Sequence, residues 1–248
     1  MKIPSIKGII RRRLLLNYRV DPDVIQTVLP NNFRPKLVRG QAIAGICLIR
    51  LEQIRPTFLP PFLGISSENS AHRIAVEWED TEGTTKEGVF VPRRDTNSLL
   101  NSLAGGRIFP GVHHHSRFEI EDESDDGEND DGNTISLTVT SKGKPLVEVS
   151  AGLADSLPDD SIFTSFEESS QFFENGCIGY SSRPNSKLLD GLLLKVLSWQ
   201  AQPMKVHSIK SSYFDDTTIF PPDSITFDHA LFMSDIAHEW HSEPQLIA

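Results

Sequence analysis

The sequence predicts a β-dominated mixed fold: one closed, strongly curved antiparallel sheet with a few short helices packed on it. Three observations carry this expectation. Segments such as "RRLLLNYRV", "AIAGICLIRLE", "HRIAVEWE", "EGVFVPRR", "TISLTVTSK" and "SITFDHALFM" are rich in β-branched and aromatic residues and mostly alternate apolar with polar positions, as half-buried strands do. Gly, Pro, Asn and Asp separate these segments at the spacing of a barrel or sandwich. Only three stretches carry helical signals instead.

The first is "DPDVIQTVLP". Asp21 is placed to cap, Pro22 suits the first helical turn, and Val24, Ile25 and Val28 form an apolar stripe. The second, "TNSLLNSLAGG", ends at Gly105 and Gly106, where glycine can take the left-handed conformation that closes a helix. The third, "SFEESSQFFENG", has Ser165 and Glu168 at capping-box spacing and Gly176 after its end. No internal repeat and no interdomain linker interrupts the pattern, so residues 1–248 read as a single domain.

The net charge is −10, but "EIEDESDDGENDDG" holds nine acids and no base between Glu119 and Asp131, which leaves about −1 for the remainder. A block of like charge repels itself and stays solvated, so residues 119–133 read as an exposed acidic loop. It lacks the glycine and final glutamate positions of an EF-hand. With no basic stripe, nucleic acid is not an expected partner. No apolar run approaches the ~20 residues that cross a bilayer, and "MKIPSIKGIIRRRLLLNYRV" lacks a small-residue cleavage signal. The expectation is therefore a cytoplasmic protein with no membrane partner. Cys47 and Cys177 sit among apolar neighbours and read as buried free thiols.

The order of motifs then becomes specific. "LLNYRVDPDVIQTVLPNNFRPKLV", "AGICLIRLEQIRP", "GISSENSAHRIAVEW", "EGVFVPRRDTNSLLNSLAGGRIFPGVHHHSRF", "SFEESSQFFENGCIGYS" and "SSYFDDTTIFPPDSITFDHALFM" resemble the YqjF-like family of conserved proteins, domain of unknown function 2071. That family lies within the acetoacetate decarboxylase-like superfamily, and the resemblance covers nearly the whole chain. It implies a β-barrel of acetoacetate decarboxylase-like type, and by analogy with such β-rich relatives an edge-paired homo-oligomer.

The resemblance to the decarboxylases proper is remote, yet it can be followed by residue. Their Tyr-Arg-Thr-Asp strand end is matched by Tyr18, Arg19, Val20 and Asp21. An arginine seven residues earlier, which meets the substrate carboxylate, corresponds to Arg11. A glutamate after a glycine loop corresponds to Glu68. Aligning Gly106 and Arg107 with their Gly-Arg sets His113, His114 and His115 on Pro-Lys-Lys, so His114 stands where the Schiff-base lysine belongs. The family's lysine is a nucleophile activated by a neighbouring cation and desolvation. An imidazole cannot form an imine. Lys86, at a strand start, and Lys142 and Lys144, beside a hairpin turn, offer no replacement amine.

The residues that remain suit a different chemistry. His114 can act as acid or base near neutrality, and Glu68 can join it if burial raises its pKa. Arg11 offers a carboxylate clamp; Arg12 lies on the other face and either Arg11 or Arg13 can be the inward one. Arg94 in "VPRRDTN" is expected as a second anion ligand, with surface pairing or helix capping as the alternative. The expectation is a small organic acid held in the barrel cavity without a cofactor, with proton-transfer chemistry such as tautomerisation, hydration or dehydration. One alternative is a non-catalytic binding or scaffold protein. The other is a metal site on His113 and His115, which share a strand face but give zinc only two of its three or four ligands; His72, His238 and His241 are the candidates for the rest.

Overall fold

A computed structural model describes residues 5–99, 111–123, 134–183 and 185–248. The helix expected after Thr96 falls, from residue 100 to residue 110, outside these residues, as does most of the acidic loop.

The chain runs through β1 (Ile6–Val20), α1 (Pro22–Gln26), β2 (Arg34–Pro35), β3 (Leu37–Val38), β4 (Gln41–Pro56), β5 (Ile65–Glu79) and β6 (Thr85–Thr96). It continues through β7 (His113–His115), β8 (Arg117–Glu123), β9 (Thr134–Ser141), β10 (Lys144–Leu153), α2 (Phe166–Asn175), β11 (Ile178–Ser182), β12 (Leu188–Val196), β13 (Gln202–Ser211) and β14 (Ile225–Ile247). The two helices begin where their capping residues predict. Asp21 accepts from the amides of Asp23 and Val24, and Ser165 accepts from the amide of Glu168. Glu168 reaches back to the Thr164 amide at 2.8 Å, one residue before the usual capping-box partner.

Hydrogen bonding closes the sheet into a ring. β1 pairs with both β4 and β14, and the circuit runs β1-β4-β5-β6-β11-β12-β14 before returning to β1. The 23-residue β14 makes closure possible: its second half pairs with β12, while its first half pairs with β13 and so starts an arm, β13-β10-β9-β8. The sheet is mostly antiparallel as expected, with two parallel pairings, β6 with β11 and β6 with β7.

This layout buries both faces of the central strands. Leu14 and Leu16 join a core between the ring wall, the arm and α1, whereas Leu15 joins the core inside the ring. That explains why "LLL" and Ala42–Leu48 are continuous apolar runs rather than alternating ones. Each fully buried leucine here contributes roughly 1.5–3 kcal/mol of transfer free energy. Among the described residues, no helix is long and apolar enough to cross a membrane.

Candidate functional site

The ring interior contains a cavity of about 140 Å³, comparable with the ~150 Å³ engineered cavity that holds benzene. Strand alternation decides what faces it. Cys47, Ile49 and Leu51 of β4, Asn69, Ala71 and Arg73 of β5, and Leu192 and Leu194 of β12 all line it, together with the rings of Phe173 of α2, Trp199 and Trp240.

Two register shifts bring arginines inward. In β1 the pairing with β4 slips between Ile10 and Arg12. Arg11 is the extra residue, so Ile10 and Arg13 both face inward although they differ by an odd number of positions. In β6 the register against β5 slips between His72 and Ile74, so Val91 and Arg94 both line the cavity. Arg73 arrives by simple alternation after Ala71.

Three guanidiniums therefore meet in one apolar-walled space. Arg73 is 7% exposed, and its Nε has no hydrogen-bond partner. Its carbon Cζ lies 4.7 Å over the Phe173 ring. Arg13 stacks 5.7 Å from Trp199, and its Nε and Nη1 are buried and unpartnered. Arg94 donates from Nε to Ser181 Oγ at 3.2 Å. Burial lowers the pKa of Arg73 and of Arg94 to about 10, so both remain cationic at neutral pH. The carboxylate at the cavity wall, Asp95, is committed elsewhere. It takes Arg93 Nε and Nη2 at 2.8 and 3.0 Å and Ser116 Oγ at 2.8 Å.

A buried relay holds Arg73 in place. Its Nη2 donates to Asn17 Oδ1. Asn17 Nδ2 donates to His229 Nε2 at 3.1 Å, where Ser169 Oγ also donates at 2.7 Å. His229 Nδ1 donates in turn to Asp228 Oδ2 at 2.6 Å. Burial alone would raise the Asp228 pKa, but hydrogen bonds from His229, Ile162 and Ser161 outweigh it and hold the carboxyl below its ordinary value. Ser169, His229 and Asp228 have the order of a nucleophilic triad, but Ser169 and His229 are 0% exposed and none of the three lines the cavity. Through Asn17 they are instead joined to Arg73. The relay depends on Gly45, where a Cβ would stand 2.3 Å from the Leu16 carbonyl oxygen and 3.3 Å from Asn17 Oδ1. Gly45→Ala is expected to cost about 1–3 kcal/mol as an overpacked site, read by urea denaturation; an unchanged midpoint would contradict the close packing.

The expected trio is not brought together. Arg11 is exposed and pairs with Glu52 at 3.0 Å and with Asp235. Glu68 is buried but lies on the outer face of the ring, because the odd-numbered residues of β5 face inward. Its carboxylate meets Arg12 at 3.0 Å and Arg50 at 3.6 Å. Burial raises its pKa against the opposing pull of those two cations. His114 is half-buried and does not line the cavity; its neighbour His113 does. Gly111, at φ 90° with Ser181 Cβ only 2.8 Å from where a Cβ would sit, turns the chain into β7 and sets that phase. Burial, with Arg94 beside it, lowers the His113 pKa to about 4, so the ring is neutral at pH 7. Of the sequence-derived ligands, Arg13 and Arg94 do line the cavity. Arg73 was legible only as a charge inside the apolar run "AHRIAVEW". His115 is exposed, and among the described residues no three His, Cys, Asp or Glu side chains are grouped to hold a metal.

A model of the DUF2071 family, described as uncharacterized conserved proteins, matches residues 10–232. The chain belongs to the DUF2071 family. Its fold is that of the acetoacetate decarboxylase-like enzymes. The crystal structure of acetoacetate decarboxylase from Legionella pneumophila is similar at TM-score 0.63 and 14% identity, with 99% of this chain and 90% of that one covered. An acetoacetate decarboxylase-like enzyme from Sphingomonas wittichii RW1 is similar at TM-score 0.60 and 12% identity, covering 98% and 93%. The enduracididine biosynthesis enzyme MppR, complexed with pyruvate, is similar at TM-score 0.59 and 12% identity, covering 100% and 91%. No curated protein matches this DUF2071 chain in sequence. Among the described residues, no lysine lines its cavity.

Proposed function

We propose that this DUF2071 protein binds a small organic acid in the ring cavity, with Arg13, Arg73 and Arg94 as its carboxylate ligands and with no imine formed to the chain. One observation carries this reading: three guanidiniums line an apolar cavity whose wall carboxylate is already neutralised. Buried cations without counterions are costly, and an anionic ligand relieves that cost while supplying acceptors for the unpartnered Arg13 and Arg73 nitrogens. The volume suits an acid of about six non-hydrogen atoms, by comparison with benzene. The pyruvate bound to MppR is an acid of this size class.

An imine needs a primary amine, and among the described residues the cavity wall offers guanidiniums, thiols and one imidazole in its place. Neutral His113, beside Arg94, is the group able to accept a proton from a bound acid, which supports enolisation rather than Schiff-base decarboxylation. Binding without turnover remains the second reading, favoured by the low basicity that burial gives His113.

Isothermal calorimetry with malonate, pyruvate and the neutral malonamide tests the proposal. The two acids bind and the diamide does not. Arg11→Ala, which removes an exposed side chain outside the cavity, leaves affinity unchanged. Equal binding of malonate and malonamide, or loss of binding in Arg11→Ala, would overturn it.

A further inference from the structure

Both cysteines of the chain line the arginine cavity although 130 positions separate them in sequence, and both are free thiols. Their settings differ. Cys177 is half-buried and donates its thiol hydrogen to the Glu174 carbonyl at 2.6 Å. Cys47 is buried in the wall. Leu15, Cys47, Ala71, Arg94 and His113 are successive cross-strand partners, one row running over five strands. Adjacent strands lie about 4.8 Å apart, so the Arg94 backbone is two steps from that of Cys47. The residue between them is alanine, over which a long guanidinium can lean.

Arg73 approaches Cys47 from the other direction, from a position on β5 opposite Gly45. Both guanidiniums line the same cavity as the thiol. The unpartnered Nε of Arg73, in a side chain 7% exposed, is a second and independent sign that an acceptor belongs here. Reactive cysteines occupy electropositive settings that a reagent can reach, whereas structural ones are packed in apolar surroundings; Cys47 is only 8% exposed, and what it faces is the cavity that the arginines line.

We propose that Cys47 is a nucleophile toward small acids that carry an electrophilic carbon next to the carboxylate, with 2-oxo acids as the natural class. This rests on the acid-binding reading of the same cavity. The carboxylate docks on Arg94 and Arg73, which presents the adjacent carbon to the thiol. For a 2-oxo acid, the Sγ–C bond forms as the carbonyl π bond opens, and the thiol proton ends on the former carbonyl oxygen. The product is a thiohemiketal, with no change of oxidation state and no co-reactant. The carbon that an amine would convert to an imine is here attacked by sulfur, and the addition is reversible.

Iodoacetate and iodoacetamide test this on the native protein, because they differ only in charge at the position that the arginines recognise. With iodoacetate the Sγ–C bond forms, iodide leaves and the thiol proton passes to solvent. Alkylation rates at Cys47 and Cys177 are read by peptide mass mapping. Cys47 is expected to react about tenfold faster with iodoacetate than with iodoacetamide, malonate should protect it, and the denatured chain should lose the preference. Faster reaction with iodoacetamide, reaction confined to Cys177, or modification of Cys47 only after denaturation would overturn the inference. The malonate calorimetry separates the two readings. Acid binding with an unreactive Cys47 removes the thiol role alone, while absence of both binding and anion preference removes both.

Discussion

Arg13→Met is expected to bind malonate ten- to a hundredfold more weakly than the native protein and to melt no lower. Its guanidinium is half-buried in the cavity with Nε and Nη1 unpartnered, and it repels the nearby Arg73. A hydrogen bond to a charged group contributes about 1.5–3 kcal/mol, which is about one to two decades in affinity. Stability moves differently. Methionine keeps an unbranched apolar stem and a polarizable sulfur against Trp199, where Arg13 now stacks at 5.7 Å, and removing an uncompensated buried charge relieves repulsion. Arg73 contrasts with it, because its removal would also strip Asn17 of a donor and loosen the chain to His229. Calorimetry and a thermal melt on the same preparation decide the matter. An unchanged malonate affinity, or a melting point several degrees down, would mean that Arg13 serves the fold and not the ligand.

Acidification from pH 7 to pH 5 is expected to remove about 4 kcal/mol of folding stability, a large part of the ~5–15 kcal/mol typical of a domain. The groups responsible are buried histidines. His72 is 0% exposed against the rings of Tyr213 and Phe214, and His238 is 2% exposed against Trp240. Burial lowers the pKa of each to about 4. The sign follows from proton counts. Below the ordinary histidine value of ~6.5 the unfolded chain takes up protons that the folded one refuses down to about pH 4, so stability is full above pH 6.5 and is lost as pH falls through that window. Each of the two contributes about 2 kcal/mol by pH 5. His113 acts in the same direction but counts for less because it is only half-buried. Glu68 opposes the trend, since its raised pKa makes the folded state the better proton acceptor. Urea denaturation at pH 7 and pH 5 measures the difference; equal stabilities would show that these rings find polar partners when folded.

The path from sequence to site was readable in some places and closed in others. Alternation, turn residues and caps were enough for the strands, and for the helices starting at Pro22 and Phe166, because those signals are local. The choice among Arg11, Arg12 and Arg13 was not readable. Side chains in a strand alternate, so one unpaired residue reverses every assignment beyond it, and nothing in "IIRRRLLL" says which arginine is the extra one. The same one-residue phase separates Glu68 from Asn69 and His114 from His113.

What the amino-acid sequence determined by itself is the supply of parts: β-forming segments, their order, and the arginines and cysteines of the cavity, of which Arg13, Cys47, Arg73 and Arg94 lie on β1, β4, β5 and β6 and Cys177 just before β11. What only the tertiary structure decided is which parts meet. Closure of β14 onto β1 makes an inside, and the slips at Arg11 and in β6 select Arg13 and Arg94 for it. Register is settled by hydrogen bonding between strands remote in sequence and by burial on both of their faces, and neither is a property of any single segment.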